Sequence, residues 1–154
     1  MDRTAAEEYI FGGILLLANK LQVLGDGLLD DLTMKQWFLL MLISKMKKEN
    51  PTINEISEFS GTSRQNVKKM LDQLSIKKYV KITRSDTDAR ALNVSLSQKT
   101  YKYFAENDKK GVEALKVLFS NITNEELLVT IGTFDKLFAF FGNPTFNDIK
   151  GEKK

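Results

Sequence analysis

The chain has 154 residues, 42% hydrophobic and 28% charged, which is enough for a substantial core but too short for two enzyme-sized domains, so one domain over 1–154 is expected. It has no cysteine, excluding disulfides, thiol redox sensing and cysteine-ligated zinc, and no histidine, removing the commonest metal ligand and general base. No cluster of acid, base and nucleophile and no phosphate-cradling glycine loop stands in the sequence, so neither an enzyme nor a bound cofactor is expected. A net charge of +3 and a pI near 9.0 lean towards a nucleic-acid partner, although a charge of that size is a weak signal by itself.

The first predicted element is a helix over residues 4–24. Ile10, Ile14, Leu17, Leu21 and Leu24 step along it as a heptad-like seam, with Phe11, Leu15 and Leu16 beside them. Such a helix is apolar over more than one side, and two readings stay open: an internal core helix or part of a subunit interface. Its longest apolar run, Tyr9 to Ala18, is ten residues, about half a bilayer span, and Asp2, Glu7 and Glu8 precede it where a signal peptide would be basic. No membrane association is expected, and a cytoplasmic location follows. Gly25-Asp26-Gly27 is expected to end the helix. Thr33, with Gln36 three residues on, opens the next one, whose face Trp37, Leu40, Met41 and Ser44 should pack on the core. Lys45 to Asn50 form a solvated charge run before Pro51.

Residues 52–60 read as a short helix with a Thr52/Glu55 capping box, and Gly61 supplies the turn after it. Thr62 is the expected N-cap of a second helix, from Ser63 to about Ser75, with Gln65 as its capping-box partner. Val67, Met70, Leu71 and Leu74 make its buried stripe, while Gln65, Lys68, Lys69 and Asp72 face away and Arg64 and Asn66 lie on the flanks. Helix, glycine turn and polar-faced helix form a helix-turn-helix. Tyr79–Arg84 and Ala91–Leu96 then alternate apolar with polar residues around the turn-forming segment 85–90, which predicts a two-stranded wing. Between Arg64 and Arg90, eight Lys and Arg, Arg84 among them, stand against three Asp. That block carries +5 in a chain of +3, a fixed cationic patch suited to polyphosphate.

Ser97 is placed to cap a long helix from Gln98 to about Ser120, apolar at Val112, Leu115, Leu118 and Phe119, with Gly111 marking a bend. Thr123 and Glu126 form another capping box before the apolar series Leu127, Leu128, Ile131, Phe134, Leu137, Phe138 and Phe141. Gly142-Asn143-Pro144 stops that helix, and a polar, flexible tail follows over 143–154. The terminal helices are more apolar than one small lobe can cover, which argues for burial between two chains.

Leu32-Thr-Met-Lys-Gln-Trp37, Ile53-Asn-Glu-Ile-Ser57, Gly61-Thr-Ser-Arg-Gln-Asn-Val67, Arg84-Ser-Asp-Thr-Asp-Ala-Arg90 and Val94-Ser-Leu-Ser97 together resemble the successive signatures of MarR-type winged-helix transcription regulators, over about residues 5–142. Two positions depart from that pattern. The wing has Asp88-Ala89-Arg90 where Asp-Arg-Arg is usual, and Lys78 stands where a glycine commonly closes the recognition helix. The resemblance implies a mainly α fold: a winged helix-turn-helix lobe over 33–97 with a small two- to three-stranded sheet, and helices 4–24 and 98–142 forming a dimerisation lobe.

The expected function is a sequence-specific duplex-DNA-binding regulator, in most of the family a repressor, working as a homodimer on a near-palindrome with half-site centres about 10 base pairs apart. Ser63 and Asn66 can donate to phosphates near the helix start. Gln65 and Lys69 suit base edges, and Arg64 and Lys68 suit the backbone. By the resemblance Arg90 enters a minor groove and Asp88 holds its guanidinium; the other reading of that pair is a solvated turn. The resemblance also implies a small, often aromatic anionic effector between reading lobe and dimer base, for which no ligand residue stands out. A winged helix serving protein interaction or RNA binding is the alternative.

Overall fold

Asp2 starts the first helix, its side chain accepting the Ala5 N–H at 2.9 Å, so that α1 runs over Arg3–Leu28. The computed structural model describes residues 1–85 and 90–142; Asp88 and the tail 143–154 lie outside the described residues. Two units are distinguished, Met1–Leu39 and Leu40–Lys154.

In the first unit, α1 does not stop at Gly25-Asp26-Gly27. Gly25 is its one buried residue, and a Cβ there would stand 2.6 Å from Met34 Cγ and 2.9 Å from Met34 Cβ. The Asp26 side chain accepts the Met34 N–H at 2.6 Å. These residues therefore receive the start of α2 (Met34–Lys45) instead of breaking the helix, and the close approach offsets the roughly 1 kcal/mol that a helical glycine costs. Thr33 and Gln36 form the expected reciprocal cap, each accepting the other's backbone N–H at 3.2 Å. Within its own unit the heptad-like seam of α1 is left exposed, from 37% at Ile14 to 58% at Leu17.

Along α2 the buried residues are Gln36, Leu39, Leu40, Leu42 and Ile43, whereas Trp37 and Met41 are half-buried and Ser44 is exposed. The buried face thus shares Leu40 with the expected Trp37-Leu40-Met41-Ser44 but is turned towards Leu39, Leu42 and Ile43. Seven consecutive apolar residues, Trp37 to Ile43, leave the period no polar side against which to choose a face.

The second unit holds the helix-turn-helix and the two-stranded sheet. Thr52 and Glu55 close the capping box of α3 (Ile53–Ser60), and Gly61 follows with φ 64°, the left-handed conformation that glycine adopts without strain. The N-cap of α4 (Arg64–Ile76) is Ser63, not Thr62: the Ser63 side chain accepts the Asn66 N–H at 3.3 Å. Thr62 is already committed to the end of α3, its N–H donating to the Ser57 carbonyl at 3.2 Å. Val67, Leu71 and Leu74 of α4 are fully buried, as are Ile56, Tyr79 and Val94, and each such side chain contributes about 1.5–3 kcal/mol. Strands β1 (Val80–Arg84) and β2 (Leu92–Leu96) pair antiparallel, Val80 opposite Leu96 and Arg84 opposite Leu92. The third strand reduces to a single bridge, Thr52 with Asn93, beside which the Val94 N–H donates to the Pro51 carbonyl.

Helix α5 covers Gln98–Leu118. Ser97 does not cap it through its side chain, because that hydroxyl donates instead to the Lys78 carbonyl at 2.7 Å. Thr100 and Tyr103 are the buried residues of α5, and Tyr103 meets Tyr79 edge-to-face at 5.6 Å. Helix α6 (Asn124–Phe140) begins with the expected Thr123/Glu126 capping box and has no buried residue. Among the described residues no helix is long and apolar enough to cross a membrane.

Candidate nucleic-acid interface

Burial of Val67, Leu71 and Leu74 on one side of α4 forces Arg64, Gln65, Lys69, Asp72 and Gln73 into solvent on the other. This outward stripe forms one wall of a groove of about 820 Å³. The opposite wall is Thr52, Ile53 and Asn54 at the start of α3 together with Arg90, Ala91 and Leu92 at the root of the wing. Arg64, Lys68, Lys69 and Arg90 give the groove four cations, and Asp72 is the one carboxylate among its lining residues. The remaining polar lining, Thr52, Asn54, Gln65 and Gln73, offers hydroxyl and amide groups that can both donate and accept. A long concave surface of cations and amides on an exposed helix has the chemistry to meet phosphates at its edges and base edges along its floor.

Residues 30–91 match a family model described as MarR family. The fold is a MarR-type winged helix. Its similarity to solved structures extends well beyond that segment. A MarR/EmrR family transcriptional regulator from Acinetobacter sp. ADP1 is 19% identical, with 88% of this chain and 96% of that one covered and a TM-score of 0.74. MepR of S. aureus, solved as a MepR–DNA complex, is 20% identical with a TM-score of 0.73, covering 86% of this chain and 96% of its own. FabT of Streptococcus pneumoniae, solved in complex with DNA, is 19% identical with a TM-score of 0.64 and coverages of 92% and 98%. No curated protein matches the chain.

On this winged helix the residues singled out from the sequence fall into separate places. Arg64, Gln65, Lys68, Lys69 and Arg90 line the groove together. Ser63 and Asn66 are exposed at the helix start, outside the groove lining and bonded to each other through the cap. Arg84 is exposed at the end of β1, opposite Leu92. Asp88 lies outside the described residues. Lys68 is less available than its sequence position suggests, since its ammonium donates to both Asp72 oxygens, at 2.5 and 2.6 Å.

Sequence reasoning missed Asn54, Gln73 and Ile76 in the lining. Gln73 follows Lys69 by four residues and Gln65 by eight, so the helical period alone could have found it. Asn54 comes from another element, and no local pattern points to it. Ile76, 81% exposed at the end of α4, adds an apolar edge suited to a thymine methyl group.

Proposed function

We propose that the protein is a transcription regulator that binds duplex DNA sequence-specifically as a homodimer, with α4 of each copy in the major groove of one half-site. The observation that carries this is the groove itself: Arg64, Gln65, Lys69 and Arg90 converge from two elements on one open surface. The DNA complexes in which MepR and FabT were solved, on the same fold, support the same use. Gln65 and Lys69 are assigned to base edges, Arg64 to the backbone, and Ser63 and Asn66 to phosphates at the helix start, while Lys68, expected at the backbone, is engaged by Asp72. Arg90, with Arg84 behind it on β1, is assigned to the wing contact.

The homodimer is supported by the terminal helices. Tyr9, Phe11, Leu15, Leu16, Leu17 and Val23 on α1 and Leu128, Val129 and Phe140 on α6 are each more than half exposed in the single chain. Monomeric proteins rarely leave contiguous apolar patches beyond about 300–600 Å² in water, so faces of this kind call for a second copy.

The test is selection of bound fragments from genomic DNA at defined salt, followed by gel-shift titration of the selected site. A shared near-palindrome is expected, and Arg90→Ala should weaken binding to it by about 1–3 kcal/mol. Retention of random and selected duplex with equal affinity at physiological salt would refute specific binding, and an unchanged affinity in Arg90→Ala would remove the wing from it.

A further inference from the structure

Resting on the DNA-binding reading above, we propose that Asp72 is a specificity device: it holds Lys68 away from phosphate and presents a carboxylate acceptor to a cytosine amino group, so that the groove binds arbitrary duplex weakly.

The surroundings of Asp72 do not suit a helix-stabilising role. The Lys68–Asp72 pair is an i,i+4 pair with the cation on the N-terminal side, the poorer of the two orders. Both side chains are about half exposed, and such pairs add little to stability. What the pair does accomplish is local to the groove. Lys68 spends its ammonium on both carboxylate oxygens, at 2.5 and 2.6 Å, which removes one cation from the count available to phosphate. The carboxylate itself stands on the groove wall between Lys69 and Gln73.

A carboxylate can only accept. It is repelled by phosphate oxygens and by the acceptor edges of guanine and thymine, and it fits the N4 amino group of cytosine. Presented with cytosine, it gains a partner. Presented with guanine or thymine it faces acceptors only, and adenine sets its N7 acceptor beside the N6 amino group, so each is a poorer partner than cytosine. The device therefore acts mainly by penalising wrong duplexes.

The test uses the full chain with Asp72→Asn, Lys68→Ala and the double variant, titrated against random duplex and the selected site over a range of salt. Asp72→Asn is expected to bind random duplex about 3- to 10-fold more tightly, with a salt slope steeper by about 0.9, because one more cation reaches phosphate. The position that selects cytosine should relax. Lys68→Ala alone should leave the slope almost unchanged, while in the Asp72→Asn background it should return the slope to the wild-type value. Thermal melts of the variants control for folding. Equal random-duplex affinity, slope and selected sequence in wild type and Asp72→Asn would overturn the proposal and leave an ordinary solvated helix pair. If the wild-type chain bound no duplex even at low salt, the DNA-binding reading itself would fail, and this proposal with it.

Discussion

Lys78 follows α4 with φ 63°, the one non-glycine residue among those described that has a positive φ. The bonds that close α4 explain why the chain must turn there: the Lys78 N–H donates to the Ser75 carbonyl and the Tyr79 N–H to the Leu74 carbonyl, each at 2.9 Å. The second bond reaches back five residues and requires a left-handed residue between. For an L-residue that conformation costs about 1–2 kcal/mol, and glycine avoids it. Glycine in turn loses more chain entropy on folding, about 0.5–1 kcal/mol. Lys78→Gly should therefore stabilise the fold by about 0.5–1 kcal/mol, a rise of about 1–4 °C in Tm for a chain of this size. All the bonds at risk are made by backbone atoms, including the Lys78 carbonyl that accepts from the Ser97 hydroxyl at 2.7 Å, so the substitution keeps them. The assay is thermal and urea unfolding at one fixed protein concentration, with Lys78→Ala alongside. Both variants remove the same charge, but alanine keeps the strain. An alanine variant as stable as the glycine variant would refute the strain account.

Two glycines in helices should respond with opposite signs to alanine, read by the same melts. Gly25→Ala should destabilise by about 1–3 kcal/mol because Met34 Cβ and Cγ stand 2.9 and 2.6 Å from the new atom, whereas Gly111→Ala, with nothing within 4 Å, should stabilise by up to about 1 kcal/mol. The Glu55 carboxyl is held below its ordinary 4.5 first by the Lys48 ammonium at 2.8 Å and then by the Thr52 N–H at 2.7 Å. Because the folded value is the lower one, its contribution is complete above the ordinary carboxylate range and is lost as pH falls through the folded value. Glu55→Gln should therefore flatten part of the acid limb of a stability–pH curve, and an acid limb identical to that of wild type would count against the pairing.

How much of the architecture could be read from the sequence depended on whether a segment carried its own contrast. The α4 stripe and the Thr52/Glu55, Thr33/Gln36 and Thr123/Glu126 caps were legible because each is a local pattern of a few residues. The Ser63 cap was missed by one position since Thr62 and Ser63 are both good caps, and the choice is made by the closure of α3, which spends the Thr62 N–H on the Ser57 carbonyl. In α2 an unbroken apolar run hid the buried face. Gly25-Asp26-Gly27 looked like a stop because the partner that makes it a docking point, Met34, is eight residues away from Asp26. The groove was half legible: its α4 wall follows from periodicity, whereas Thr52, Asn54 and Ala91 reach it only through tertiary packing.

The end of α4 and the start of α5 are joined tightly enough to act as one piece. The Tyr79 carbonyl accepts from the Ser97 N–H at 2.9 Å and from the Thr100 hydroxyl at 2.5 Å. Lys99 lies 4.1 Å over the Tyr79 ring while its ammonium donates to the Lys77 carbonyl at 3.0 Å, near the C-terminal end of α4, where a cation is favoured. Tyr103 then braces the same ring from α5. Backbone carbonyls of three successive residues, Lys77, Lys78 and Tyr79, are thus each held by a side chain from the first turns of α5 or its cap. In the proposed homodimer, any rotation at the base of α5 carries the C-terminal end of α4 and the first strand of the wing with it.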